Sequence, residues 1–312
     1  MANKIAFVFP GQGAQAVGMG QDVFDQYEVS RNVFNQADEA LGFKLSDIIF
    51  NGPNDNLKQT ANTQPALLTV SVALLEALKG RGLAPDYVAG HSLGEYSALV
   101  AAGALSFQDA VRTVRARGEF MEQAVPGGTG AMAAVLGAER DALANLCAAL
   151  SADAGAVELA NINCPGQIVV SGTASGVQAV VERGKDAGAK RVIPLEVSGP
   201  FHSSLMKPAA ERLAGVLEQA AIADAAVPVL ANVTAEPVTA ASDIRRLLVE
   251  QVYSPVLWED SVRKLIELGV DTFVEIGSGN VLAGLIKKID RSVNVISINS
   301  VQSLEAALTP AG

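Results

Sequence analysis

The sequence predicts an α/β fold: a mostly parallel sheet domain interrupted by a small ferredoxin-like subdomain. Three observations point that way. Short β-branched apolar runs alternate with helical patterns along most of the 312 residues, the signature of βαβ units around a parallel sheet. In the middle of the chain the order changes to β-α-β-β-α-β, the ferredoxin-like arrangement. Glycine- and proline-bearing stretches, PGGTG and SGPFH, flank that middle part. The expected division is residues 1–127 and 199–312 for the large α/β domain and residues 128–198 for the inserted subdomain.

From the N-terminus, Ile5–Phe9 reads as the first core strand, stopped by Pro10-Gly11. One positive charge precedes it and no small-residue cleavage site follows, so it does not read as a signal peptide. Pro65–Lys79 has the helical period, with proline near the first turn and Gly80 as the stop. A strand at Tyr87–Gly90 and helices at Gly94–Ala102 and Phe107–Ala124 follow. The subdomain begins with a strand at Ala131–Gly137, a helix at Glu139–Leu150 and a strand at Ala156–Ile162. An NCPG turn then reverses the chain into a strand at Gln167–Gly172. A helix at Ala174–Ala187 and a strand at Lys190–Val197 complete the unit. The remainder alternates: helix Ser203–Ala220, strand Val227–Asn232, helices Asp243–Tyr253 and Trp258–Leu268, then strands Thr272–Ile276 and Val293–Ile298.

Hydrophobic residues make up 49% and charged residues 18% of the chain, values that suit a globular enzyme with a sizeable interior. No apolar run reaches the ~18 residues of a membrane span, so no membrane association is expected. The net charge of −10 argues against nucleic acid, whose phosphates need a basic face. The pairs Lys190-Arg191, Arg245-Arg246 and Lys287-Lys288 can still form a local patch. Cys147 and Cys164 show neither metal spacing nor a disulfide framework, and they fit small buried side chains in a reducing cytoplasm.

The stretch YVAGHSLGEYSALVAAGAL carries the chemistry. It places Ser92 at G-x-S-x-G spacing between a strand and a helix, the context of a nucleophile elbow. The following helix N-terminus offers N–H groups and a positive dipole end to an oxyanion. The chain has two histidines. His91 is next to Ser92, and neighbouring side chains on a sharp turn diverge, so its expected role is structural, behind the elbow. His202, in the loop after the subdomain's last strand, is the expected base. No acidic residue between the two sits at an obvious strand end to orient the imidazole. A serine–histidine pair oriented by a neutral group fits better, which leans away from a plain hydrolase.

The ordered motifs PGQGAQ, TQPAL, GHSLGEYSAL, RGEFM, PGGTGAMAAV, NCPGQIVVSG, PFHSSLM, YSPVLW and VEIGSGNVL together resemble the malonyl-CoA:acyl carrier protein transacylases, the stand-alone acyltransferases of fatty acid synthesis. The resemblance spans nearly the whole chain. It implies a hydrolase-like α/β domain with a ferredoxin-like insertion, with Ser92 as nucleophile and His202 as base. It further implies Gln12 beside an oxyanion hole that includes the Leu93 N–H, and Arg117 holding the malonyl carboxylate. Gln251 is implied to help orient the histidine through a neutral contact. Ala14 stands where serine is common, and no catalytic residue is missing.

The implied activity is ping-pong transfer of a malonyl group from malonyl-CoA, through a malonyl-serine ester, to the phosphopantetheine thiol of holo-acyl carrier protein. No bound cofactor and no metal are expected, and a monomer is. Carrier proteins are acidic, as this chain is, so docking is expected to use a local basic patch of Lys190, Arg191, Lys287 and Lys288. A serine hydrolase that discharges to water, and a non-catalytic carrier-binding scaffold, are the competing readings.

Overall fold

A computed structural model describes residues 4–308; residues 1–3 and 309–312 of the expected large domain lie outside that range. Among the described residues the strands, in chain order, are β1 (Lys4–Phe9), β2 (Tyr87–Gly90), β3 (Gly130–Leu136), β4 (Val157–Cys164), β5 (Gln167–Thr173), β6 (Arg191–Pro194), β7 (Val229–Leu230), β8 (Pro237–Val238), β9 (Val270–Ile276) and β10 (Asn294–Ile298). They form two sheets.

The first sheet runs β10-β9-β1-β2-β7-β8. Its neighbours pair in parallel, except for the short antiparallel pair β7–β8 at one edge. Alternation along β1 shows why the sheet is covered on both faces. Phe7 and Phe9 enter one core, while Ala6 and Val8 enter another on the opposite side. Both sets are apolar, as strands buried on two faces require. The second sheet, β4-β5-β3-β6, is antiparallel throughout. Its strands and the helices Arg140–Asp153 and Ala174–Arg183 lie between residues 130 and 194, and they enclose a core of their own around Val135, Leu143, Val170 and Val177.

Several elements differ from the sequence expectation, each for a physical reason. The expected helix Pro65–Lys79 begins earlier, at Thr60, and runs to Leu78 with Pro65 inside it. A proline there removes the N–H that would reach the carbonyl of Ala61. Arg115 Nη1 donates to that carbonyl instead, at 3.0 Å. The helix Glu28–Leu41, absent from the sequence reading, packs Val33, Phe34 and Ala37 into the core that contains the Thr60–Leu78 helix. The expected strand Val227–Asn232 contracts to β7, because Asn232 leaves the ladder to hold the serine turn. The expected helix at Ser203–Ala220 resolves into a 3₁₀ turn, Ser204–Met206, and an α-helix, Lys207–Gln219, with Pro208 in its first turn, where proline is tolerated. β6 ends at Pro194 rather than at Val197, which frees Leu195 and Val197 to line the cleft between the two sheets.

Candidate active site

Ser92 sits where β2 turns into the helix Gly94–Ala101, with its backbone in the left-handed region at φ 52°. Space demands the flanking glycines. A Cβ on Gly90 would stand 1.9 Å from the Gly94 carbonyl, and one on Gly94 would stand 2.1 Å from Phe9 O. Gly11 is constrained in the same way: its Cβ would lie 2.3 Å from His91 O, so only glycine lets the PGQG loop press against the elbow. Asn232 pins the turn from below. Its Oδ1 accepts from Ser92 N–H at 2.7 Å, and its Nδ2 donates to Gly90 O at 2.7 Å.

His202 arrives from the loop after β6, also left-handed at φ 58°. Its Nε2 lies 2.7 Å from Ser92 Oγ, and its Nδ1 lies 2.9 Å from the main-chain carbonyl oxygen of Gln251. A carbonyl only accepts, so Nδ1 carries the proton, Nε2 is the acceptor and the Ser92 hydroxyl donates. The contact from Gln251 to the imidazole is therefore made by the backbone, not by the side-chain amide. Burial, helped by the positive charge of Arg117, pushes the His202 pKa down to about 3. The ring is neutral and able to take a proton. His91 donates from Nε2 to Asn163 Oδ1 at 2.8 Å and packs 5.7 Å from the Trp258 ring.

Arg117 is 1% exposed. The helical period placed it beside the buried stripe of its helix, yet it is buried itself, because polar side chains rather than water receive it. Nη1 donates to Gln64 Oε1 at 2.8 Å. Nη2 donates to Gln251 Oε1 at 2.8 Å and to Ser92 Oγ at 3.1 Å. The guanidinium also stands 5.6 Å from the Tyr96 ring centre, and its Nε has no hydrogen-bond partner among the described residues. The Gln251 amide turns its nitrogen the other way, donating to Ser92 O at 3.0 Å and to Glu95 Oε2 at 2.8 Å. Burial pushes the Glu95 carboxyl up to about 7, against the opposing pull of Gln251, Asn232 and Arg117.

Gln12, Ser92, Leu93, Arg117 and His202 line one cavity of about 120 Å³, with Met121, Met132 and Phe201 as apolar walls. Neither Gln12 N–H nor Leu93 N–H has a protein acceptor among the described residues. The Gln12 side chain is held by Thr60 Oγ1 at 3.1 Å. A second space of about 220 Å³ shares Gln12, His91, Asn161 and Leu195 with the first and runs out to Gln167 and the helix Val281–Ile289. Its rim carries two exposed apolar side chains, Leu195 and Val281. The basic residues lie at its outer end. Lys288 Nζ reaches Gln167 Oε1 at 3.3 Å, Gln167 pairs with Leu136, and Leu136 pairs with Arg191. Lys190 packs against Gly137 beside them. Lys287 is different, since its amine donates to the backbone oxygens of Arg291 and Val293.

Sequence reasoning gave no role to Glu95, Gln64 or Asn232. Each left a trace: Glu95 is a charge inside an apolar helix, Gln64 sits in TQPAL, and Asn232 ends an expected strand. Among the described residues no group of three or more His, Cys, Asp or Glu could hold a metal ion, and no helix is long and apolar enough to cross a membrane.

A family model described as acyl transferase domain matches residues 6–305. A protein of Bacillus subtilis (strain 168) named malonyl CoA-acyl carrier protein transacylase is 56% identical over 306 residues, covering 98% of this chain and 96% of that protein. The crystal structure of an acyl-carrier-protein-S-malonyltransferase from Bartonella henselae superposes with a TM-score of 0.95 at 43% identity, covering 98% of each chain. The structure of a type II PKS acyl-carrier protein in complex with its malonyl-transacylase gives a TM-score of 0.95 at 42% identity, covering 98% of this chain and 99% of that one.

Proposed function

This chain belongs to the acyl transferase domain family, and from that premise we propose that it moves a malonyl group from malonyl-CoA to the phosphopantetheine thiol of an acyl carrier protein, supplying extender units for fatty acid synthesis. One observation carries the reading: the hydroxyl of Ser92 is held at once by His202 Nε2 at 2.7 Å and by Arg117 Nη2 at 3.1 Å. A nucleophile with a base on one side and a buried guanidinium on the other suits an acyl group that ends in a carboxylate.

In the first half-reaction His202 Nε2 takes the Ser92 proton as Oγ attacks the thioester carbon. The oxyanion is received by the Leu93 N–H and the N–H of Gln12. Collapse breaks the C–S bond, and the departing coenzyme A thiolate takes the proton from the imidazolium. The second half runs in reverse with the carrier thiol, so one set of donors serves twice. Arg117 meets the malonyl carboxylate with the Nη2 hydrogen that Ser92 Oγ releases, a charge-assisted contact. The same contact aids the base. The charge of Arg117 holds down the basicity of His202, and a bound carboxylate offsets that charge, so the imidazolium forms more readily beside a malonyl group than beside an acetyl group.

The groove along Leu195, Val281 and Gln167 takes the pantetheine arm. Lys288, Lys190 and Arg191 at its outer end meet the acidic carrier, and Lys287, exposed but hydrogen-bonded to backbone oxygens, adds its charge nearby. The buried free cysteines Cys147 and Cys164 suit a reducing cytoplasm, where we place the protein as a monomer. Incubation with malonyl-CoA, acid quench and an intact mass tests the reading. A malonyl adduct that is absent in Ser92→Ala and discharged by a holo-carrier thiol is the expected result. Rapid release of free malonate would make the protein a hydrolase, and no adduct would make it a scaffold.

A further inference from the structure

Arg117 is a fully buried cation with no direct ion pair among the described residues; its recorded hydrogen bonds all end on neutral oxygens. A buried charge left without an opposite charge is costly. The nearest candidate is one amide away. Gln251 receives Arg117 Nη2–H on its Oε1 and donates its Nε2–H to Glu95 Oε2. The amide thus lies between a cation and a carboxyl group, with its oxygen toward the cation and its nitrogen toward the carboxyl. Asn232 N–H, at 3.1 Å, is the second donor on the same Glu95 oxygen. Tyr96 cannot replace Glu95 as the counter-charge, because burial raises its hydroxyl pKa and keeps it protonated.

We propose that Glu95 is a positioning residue which, through the side-chain amide of Gln251, forms a bridged ion pair with Arg117 and sets how strongly the guanidinium attracts an acyl carboxylate. The inference rests on the reading of Arg117 as the group that meets the malonyl carboxylate. Glu95 touches neither the substrate nor the reacting atoms. It holds the Gln251 amide in the orientation that aims Oε1 at Arg117. Its negative charge also opposes an incoming carboxylate, so it stabilises the empty enzyme while weakening the hold on the loaded one.

That opposition of effects separates the proposal from a packing role. Glu95→Gln keeps the shape and an acceptor for Asn232 N–H but removes the charge. In single-turnover loading of Ser92 at pH 8, where Glu95 is mostly ionised, the half-saturating malonyl-CoA concentration is expected to fall about tenfold, the worth of one charge at this remove in a partly polar interior. The value for acetyl-CoA, which has no carboxylate, is expected to stay unchanged. A half-saturating malonyl-CoA concentration that is unchanged or raised overturns the proposal, as does an equal fall for both thioesters.

Thermal unfolding at pH 8 covers the case in which Glu95→Gln folds poorly. With wild type, Glu95→Gln, Arg117→Met and the double variant as the four corners of a cycle, the double variant should be destabilised by less than the sum of the two single changes, a coupling expected of interacting groups. Additive effects across the cycle overturn the proposal even without an activity reading. Wild-type loading is the control. If the wild type takes no malonyl group on Ser92, the proposed function fails, whereas normal wild-type loading with uncoupled variants removes only the role of Glu95.

Discussion

Ser92 and His202 are both non-glycine residues in the left-handed region, at φ 52° and 58°. Such conformations cost about 1–3 kcal/mol each and persist where surrounding structure over-determines them. Here the determinants are the Asn232 clamp on the elbow and the Gln251 carbonyl on the imidazole. Burial of His202 has a consequence for stability. Its folded pKa, about 3, lies below the ordinary 6.5. As pH falls through 6.5 the unfolded chain takes up a proton that the folded chain refuses. Stability from this group is therefore complete above pH 6.5 and is lost progressively down to about pH 3. Between pH 7.5 and pH 5 the wild type should lose about 2 kcal/mol more than His202→Gln, as 1.5 pH units below the unfolded pKa implies. Urea unfolding of both proteins at the two pH values checks this. Equal losses would mean that the imidazole titrates as it does in water.

The helices Thr60–Leu78 and Phe107–Gln123 approach closely because Gly118 has no side chain; a Cβ there would lie 2.7 Å from Ala61 Cα and 2.8 Å from Thr60 O. Gly to Ala inside a helix ordinarily gains about 1 kcal/mol. Gly118→Ala should instead lose about 1–3 kcal/mol through overpacking. It should also slow malonyl loading, since the Arg117–Gln64 contact spans these two helices. Denaturant unfolding and loading rates measure both effects, and a more stable variant would contradict the packing described. What the sequence made legible follows the same division between local and long-range constraint. The serine elbow could be read from five residues, because the glycines answer to space within the turn. The β-α-β-β-α-β order showed through for a similar reason, with a four-residue NCPG reversal at its centre. The environment of Arg117 did not show, since Gln64 and Gln251 lie 53 and 134 positions away. Helical period alone cannot tell a side chain received by buried amides from one received by water. The helix Glu28–Leu41 escaped notice because its buried stripe, Val33, Phe34 and Ala37, is interrupted by polar residues. Thr60–Leu78 is buried along almost its whole length, so its period gave no sharp start.

Across the molecule, the cavity around Ser92 shares Gln12, His91, Asn161 and Leu195 with a groove that runs out to Gln167, where Lys288 sits and from which Arg191 is two strands away. Against a net charge of −10, a local basic patch is what would draw an acidic carrier. Reversing Lys288 and Arg191 to glutamate should slow transfer from malonyl-Ser92 to the carrier by roughly tenfold or more at low salt, with the effect fading as salt screens it. Loading from malonyl-CoA should be unaffected, and equal loss in both half-reactions would take these residues out of docking. The central claim is that a serine, an imidazole and a guanidinium from three distant parts of the chain act on one acyl group. Competition tests it most directly. Wild type and Arg117→Met are each given an equimolar mixture of malonyl-CoA and acetyl-CoA, quenched within one turnover, and the Ser92 peptide is weighed. The wild type should carry the malonyl group almost alone, and Arg117→Met should lose that preference by roughly 10²- to 10³-fold, the usual cost of truncating one partner of a buried charge pair. An unchanged malonyl-to-acetyl ratio in Arg117→Met would contradict the account.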